Sequence, residues 1–578
     1  MSQTGAVKNQ GDVSIVLCGQ AGMGIQTVEN ILTRIFKFIG CNVFSTKEYM
    51  SRIRGGANST EIRVSSKRVC AFVNRIDILI ALDKGAVKHV EKRISPQTIL
   101  LSEKENLDTD FDIGRCRFID VPFTKIATDI GNKIYSNIVA AGMIAGLFEI
   151  GLEFVIDYIA RFFAAKSQEI VQQNIEAVKA GYERGTSLAE SAKIKFHIDT
   201  DAAIKNHILL SGTEAVALGA IAGGCNFTAA YPMTPSTGVL TFLAKNAKEF
   251  GIIVEQAEDE ISAINMVIGA WYAGARGLAS TSGGGFALMV EGVSLAGMLE
   301  MPAVIMLGQR PAPATGLPTR TEQADLNFAL YSGHGEFPRI IFAPAKIEDA
   351  FYLTQKAFNL ADKYQIPVFI LTDQYFMDSY YNIPSPDLSG IKTEKYFMET
   401  SADYARYELT DTGISPRGIP GFGDGLVVVD SDEHDQQGHI TEDLDLRTKM
   451  VDKRLKKLES AENESIAPEL VGPVDYKNLI VCWGSNYHVV KEAIENLERG
   501  DTAFLHYKQV YPLHKSTADY LKKARKLVIV ENNATCQFGG LIKRNTEIDI
   551  ENKILKYNGL AFCVEELAEK LNDLLHRD

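Results

Sequence analysis

Residues 254–288 read VEQAEDEISAINMVIGAWYAGARGLASTSGGGFAL. Their pattern is strand end, helix, strand and glycine loop. Residues 251–254 form a short apolar strand. Glu258, Asp259 and Glu260 then open a helix, where acidic residues suit the positive end of the dipole. The helix is predicted to reach Tyr272. From Glu260, the residues at i+3, i+4, i+7 and i+8 are Ala263, Ile264, Val267 and Ile268. One carboxylate therefore heads an otherwise apolar face. Glu258 projects with Ser262 and Asn265 on a more polar face. A carboxylate on an apolar face is costly unless it is paired or protonated. Glu260 is thus either a helix-opening acid paired with an Arg or Lys elsewhere, or a functional acid. Residues 276–281 read as a strand and Ser282-Gly-Gly-Gly285 as a loop. A second helix follows over 286–299. A glycine loop between strand end and helix start is where α/β proteins place ligands. It also lets strand and helix pack closely.

Strand and helix alternate along most of the chain, which predicts an α/β fold of several parallel-sheet domains. The block around the opening stretch, 207–385, begins with a helix over 215–223. YPMTPST follows at 231–237. Pro232 and Pro235 hold this segment extended, and Ser236 or Thr237 suits a helix cap. After a buried strand at 302–307 comes a long loop, RPAPATGLPTRTEQAD at 310–325. Such loops carry function more often than structure. A strand over 366–373 ends the block.

The first block, 1–190, starts with a strand at 14–18, a turn Gly19-Gln-Ala-Gly22-Met-Gly24 and a helix from Ile25 to Ile39. The glycine order is not G-x-G-x-x-G, and Ile25 stands where a P-loop needs Lys. An anion at that helix N-terminus stays possible. The loop 51–58 sets Arg52 and Arg54 beside glycines, as a phosphate grip or a solvated turn. Strands are expected at 60–64, 70–73 and 78–82, and a helix from 137. Residues 191–206 read as a polar linker. Residues 386–470 break the α/β rhythm. They hold His434 and His439 among carboxylates, and a charged helix over 447–460 expected to face solvent. The i, i+5 histidine spacing in a loop disfavours a metal, so none is expected on this chain. Residues 471–578 return to βα alternation.

A chain of 578 residues has room for three or four domains. Its 46% hydrophobic and 23% charged content is that of an ordinary globular protein. A net charge of -13 argues against a nucleic-acid groove. The N-terminal MSQTGAVKNQGDVS lacks a signal-peptide core. The longest strictly apolar run, 138–148, is too short to span a bilayer. No membrane association is expected, and the cytoplasm is the expected compartment. Eight cysteines lie singly along the chain, without C-x-x-C. That excludes the usual local spacings for zinc and iron–sulfur clusters. Any redox metal centre should lie on another chain.

Together the motifs resemble the 2-oxoacid:ferredoxin oxidoreductase family. YPMTPST at 231–237 is similar to the family's YPITPS motif, and residues 255–291 to its pyrimidine-binding domain. PATGLPTRTEQADL is similar to its substrate loop. EYMSRIRGGANS at 48–59 resembles the γ subunit, and VIVENNATCQFGGLIKR at 528–544 the small transketolase C-terminal-like domain. The order implies a fused γ–α large subunit, most like the 2-oxoglutarate type. The resemblance implies reversible, coenzyme A-dependent oxidative decarboxylation of a 2-oxoacid. Thiamine diphosphate is the cofactor, coenzyme A the co-substrate, and ferredoxin takes the electrons. A partner β subunit is implied to carry the diphosphate site, magnesium and a [4Fe–4S] cluster, in a dimer of heterodimers.

Glu260 is implied as the catalytic acid that hydrogen-bonds the aminopyrimidine, in addition to its place on the helix face. Thr234 and Arg320 match the positions that hold the 2-oxoacid, and a guanidinium forks onto a carboxylate. Arg310 is the candidate for a distal carboxylate. Tyr231, Pro232, Ser282 and Gly283 are the implied cofactor contacts. Met233 replaces the usual Ile, and Gly284 stands where Pro is common. Gly423-Asp424-Gly425 imitates the start of the magnesium–diphosphate signature, but a charged loop follows and the next Asn is Asn463. It reads as a turn. Pyruvate or branched-chain 2-oxoacids remain alternative substrates. A scaffold subunit, or an NAD(P)-dependent dehydrogenase using the first glycine turn, are the rival classes.

Overall fold

The computed structural model describes residues 11–20, 22–49, 56–192, 194 and 196–576. The chain divides into two compact units. One runs to Leu210 and includes Ser379–Ser385; the other holds Ser211–Asp378 and Pro386–Asp578.

The first unit is built on an eight-stranded sheet. In spatial order its strands are Arg117–Asp120, Ile99–Ser102, Ile78–Ala81, Asp12–Gln20, Ala57–Ser65, Asn42–Glu48, Tyr380–Ile383 and Ile208–Ser211. The first four are parallel. Asp12–Gln20, Ala57–Ser65 and Asn42–Glu48 pair antiparallel. The strand from 380 is pinned by Asn382, whose Oδ1 accepts from Val43 N at 2.8 Å. The helix Ile25–Ile39 forms where the sequence places it. Ala21 of the preceding turn, and Arg52 and Arg54, lie outside the described residues.

Two expectations differ from this unit. Cys70, Ala71 and Val73 are buried without joining the sheet, and Phe72 is half-buried; Ala71 O accepts from Arg63 Nη1 instead, at 3.2 Å. The stretch 191–206 is no free linker. Ile194, Phe196 and Ile198 enter the hydrophobic core, and Asp201 N donates to Gly40 O at 2.8 Å. Apolar residues alternating among its polar ones drive that packing.

The second unit has a seven-stranded sheet, in the order Gln509–Tyr511, Ile340–Phe342, Pro367–Asp373, Ala303–Gln309, Gly277–Ser282, Phe227–Ala230 and Ile253–Gln256. All are parallel except Gln509–Tyr511. That strand comes from the last block. A five-stranded sheet, Glu469–Val471, Thr502–Tyr507, Asn478–Trp483, Lys526–Glu531 and Asn552–Leu555, is parallel except at its first strand. The three blocks read separately in the sequence (207–385, 386–470 and 471–578) thus form one body apart from 207–210 and 379–385. The fold class is α/β with several mostly parallel sheets.

Residues 386–470 contain a two-stranded parallel ribbon, Phe397–Thr400 with Arg417–Gly423, and the helix Leu444–Asn463. That helix does not simply face solvent. It buries Met450, Lys453, Arg454, Lys457 and Ala461, because Lys453 and Lys457 both pair with buried Glu300. Asp424 of the glycine pair sits in a turn, its N donating to Thr400 O at 2.8 Å. His434 is buried with its ring 3.8 Å from that of Tyr407. His439 lies outside, beside Asp435. Among the described residues, no three His, Cys, Asp or Glu side chains converge as metal ligands would, and no helix is long and apolar enough to cross a membrane.

Candidate active site

The helix Glu260–Tyr272 begins at Asp259, whose carboxylate accepts from Ser262 N at 2.8 Å as an N-cap. Its buried face is Glu260, Ala263, Ile264, Val267, Ile268 and Trp271, the face the periodicity outlines. Glu258 is exposed. Glu260 is 3% exposed. Among the described residues no Lys or Arg pairs with it, so the reading of Glu260 as one half of an ion pair fails. Its side-chain partner is a hydroxyl: Thr281 Oγ1 donates to Oε1 at a long 3.5 Å. Burial pushes the Glu260 carboxyl above the usual range, against the smaller opposing pull of its own backbone N–H and of Thr281.

The glycines at 283–285 are not a loop. They are the first turn of the helix Gly283–Met298, which starts directly from Ser282. Close approach explains them. A Cβ on Gly285 would lie 2.1 Å from Glu260 Oε1 and 2.2 Å from Thr281 Oγ1. Only glycine lets this helix start against the buried acid.

Gly283 meets a second carboxylate. A Cβ there would lie 2.5 Å from Asp325 Oδ2. Asp325 is buried, and among the described residues its Oδ2 has no hydrogen-bond partner; nor has Ser282 Oγ. The Asp325 backbone is fixed through Gln309, whose Oε1 accepts from Asp325 N at 2.9 Å while its Nε2 donates to Thr372 O at 3.1 Å. Arg310, next in sequence, is buried and donates from Nη1 to Thr234 O at 2.7 Å. Burial pushes Asp325 up to about 6, with Arg310 pulling the other way. Glu322, half-buried and repelled by Asp325, is pushed by burial up to about 7.

Thr234, Arg310, Asp325, Gly283 with Ser282, and Glu260 through Gly285 thus form one connected set. It lies at the carboxyl ends of parallel strands, the usual ligand position in such sheets. Arg320 stands farther along the 310–325 loop and is half-buried. Its N donates to Leu317 O at 3.1 Å, and the next residue, Thr321, donates to Gly559 O at 3.1 Å. Gln323 ties the loop to the five-stranded sheet: its Nε2 donates to Trp483 O at 3.1 Å and its Oε1 accepts from Asn486 at 2.8 Å. Pro232 is half-buried, while Tyr231 is 42% exposed, just past the strand Phe227–Ala230. No hydrogen bond among the described residues joins Tyr231 to the connected set. Ser236 precedes its helix but does not cap it; its hydroxyl donates back to Met233 O at 2.7 Å.

Sequence reasoning missed Thr281, Gly285 and Asp325 as site residues. The one available signal was a carboxylate in a Pro-rich loop beside Gln323.

The donor set suits the aminopyrimidine of thiamine diphosphate. It offers a buried acid with no cation on it among the described residues, the Thr281 hydroxyl 3.5 Å from that acid, and the orphaned Ser282 Oγ at the same helix start.

Residues 14–184 match the family model described as "Pyruvate ferredoxin/flavodoxin oxidoreductase". Residues 218–453 match that of "Pyruvate flavodoxin/ferredoxin oxidoreductase, thiamine diP-bdg". A 2-oxoacid:ferredoxin oxidoreductase subunit alpha from Sulfolobus is 33% identical over 622 residues, covering 97% of this chain and 96% of its own. The 2-oxoglutarate synthase subunit KorA of Archaeoglobus fulgidus is 34% identical over 365 residues, 62% of this chain and 97% of its own. The solved 2-oxoglutarate:ferredoxin oxidoreductase from Magnetococcus marinus, with 2-oxoglutarate, coenzyme A and succinyl-CoA bound, is 29% identical. It superposes with a TM-score of 0.91, covering 98% of this chain and 100% of that one.

Proposed function

The chain belongs to the 2-oxoacid:ferredoxin oxidoreductases, as an alpha subunit with a thiamine diphosphate-binding domain, and we propose that it turns 2-oxoglutarate into succinyl-CoA and CO2, reversibly, with electrons passed to ferredoxin. The observation that carries a catalytic role is Glu260: a buried carboxyl with no cation on it among the described residues, raised in pKa, with a glycine helix start built around it. A scaffold subunit has no use for so costly a group. The likeness to the Magnetococcus marinus enzyme and to the Archaeoglobus fulgidus subunit supports 2-oxoglutarate. Pyruvate is the second reading, favoured by the pyruvate-named family models, with branched-chain 2-oxoacids as the further alternative.

In this reading residues 207–385 act as the pyrimidine-binding module. Bound thiamine diphosphate supplies the electron sink for decarboxylation. Glu260 holds the aminopyrimidine ring nitrogen and sets its protonation. Tyr231, Pro232, Ser282 and Gly283 bound the ring. Thr234 and Arg320 orient the C1 carboxylate of the substrate, and Arg310 takes the distal carboxylate. The diphosphate, magnesium and a [4Fe–4S] cluster reside on a β partner, in a dimer of heterodimers. All eight cysteines are free thiols, which supports a reducing, cytoplasmic setting. The test is the assembled enzyme assayed against a panel of 2-oxoacids with ferredoxin reduction as readout. A clear preference for 2-oxoglutarate supports the assignment; preference for pyruvate overturns it.

A further inference from the structure

Arg310 and Asp325 face each other inside the site without making a close ion pair. Arg310 spends one donor on Thr234 O, and its remaining donors are available to a ligand. Asp325 holds one oxygen over Gly283, with no partner for its proton or lone pair. Its backbone is locked to Gln309, and the helix from Gly283 blocks the other side. A substrate with a second carboxylate must therefore take Arg310 in the presence of a fixed neighbouring acid.

We propose that Asp325 is a specificity-determining residue that couples recognition of a second substrate carboxylate to uptake of one proton. When the substrate's distal carboxylate engages Arg310, Asp325 loses its counter-charge and gains a like charge nearby. Both changes favour its neutral form. The proton comes from solvent and stays on Asp325, where the orphaned Oδ2 becomes a donor toward the substrate oxygen. No substrate bond changes in this step. The charged groups that act on Asp325 are Arg310, at the end of the strand Ala303–Gln309, and Glu322 on its own loop. The helix Gly283–Met298 presents backbone there, and Ser282, which precedes it, a hydroxyl. Burial already pushes Asp325 up to about 6, so a modest further push on substrate binding brings proton uptake into the working range.

This inference rests on Arg310 as the distal-carboxylate group. Its test uses the assembled enzyme, with kcat/KM for 2-oxoglutarate and for pyruvate measured between about pH 5.5 and 8. The ratio of the two cancels effects common to both substrates. In the wild type the ratio should fall as pH rises, approaching about tenfold per unit above the Asp325 midpoint, through KM rather than kcat. Asp325→Asn should flatten that slope and raise the ratio at the alkaline end. Glu322→Gln should keep the slope. A ratio independent of pH in the wild type, or a slope that survives in Asp325→Asn, overturns the proposal. Arg310→Met separates the two readings: it should collapse the ratio at every pH. If it leaves the ratio intact, the placement of Arg310 fails, whatever Asp325 does.

Discussion

At the scale of the residue, burial decides what Glu260 can do. A carboxyl taken from water without a cation is held toward its neutral form, which suits the ring-nitrogen role proposed for it. Glu260→Gln keeps the shape and removes the titration. Turnover in ferredoxin reduction should fall by about 10²–10⁴, the range for a lost acid–base group. Glu258→Gln should do far less, since that side chain is exposed. Arg320 is judged by its fork. Lys keeps the charge and loses the two parallel donors. Arg320→Lys should therefore lower kcat/KM for every 2-oxoacid with folding intact; near-normal kcat/KM would leave Arg320 as a brace of its loop. The helix face of Glu260 was legible from periodicity. Its lack of a cation was not, because ion pairing depends on segments distant in sequence.

At the scale of the element, the helix Gly283–Met298 is held at both ends by charge. Its start lies against Glu260 and Asp325. Just past its end, Glu300 sits in left-handed backbone, φ 47°, and is fully buried with Lys453 and Lys457. Arg406 Nη2 donates to Glu300 O at 2.7 Å. Burial pushes the Glu300 carboxyl up, but these cations hold it far below the usual range. Cations near a helix C-terminus also complement its dipole. Removing Glu300 leaves two buried ammonium groups uncompensated. Glu300→Gln should cost about 3–5 kcal/mol in urea unfolding, and a loss below about 1 kcal/mol would show the cluster to be hydrated. The charged helix from 444 is legible in sequence. Its buried lysines are not, because a Lys on a charged helix looks the same whether it meets water or Glu300.

At the scale of the whole molecule, what the chain lacks on its own is testable. Purified alone it should be colourless and inactive, gaining activity with its β partner. Iron and sulfide analysis checks this, and stoichiometric cluster in the isolated chain would defeat the subunit assignment. The acid limb of stability has a named contributor. Burial pushes Glu433 up, but Arg454 and Arg447 overcome it and bring it down to about 2, from an ordinary 4.5. A depressed carboxyl contributes stability that is present above its unfolded pKa and lost as pH falls through its folded one. The melting temperature should therefore drop between about pH 4.5 and 2. Glu433→Gln should flatten that drop, and an unaltered acid limb would rule Glu433 out as its source.

The sequence by itself determined the α/β class, the family and the helical face that carries Glu260. These follow from local periodicity and from motifs whose residues lie close together in the chain. It also singled out Thr234, Arg310, Ser282 and Gly283, which the fold brings into one connected set. Only the tertiary structure decided how the blocks join: residues 379–385 complete the sheet of the first unit, and 509–511 extend the sheet that bears the site. It alone turned the glycine loop into the first turn of a helix and set Gly285 on Glu260 and Gly283 on Asp325. The reason is physical. Strand pairing, close approach and the field at a buried acid arise between segments far apart in the chain, and no local pattern records them.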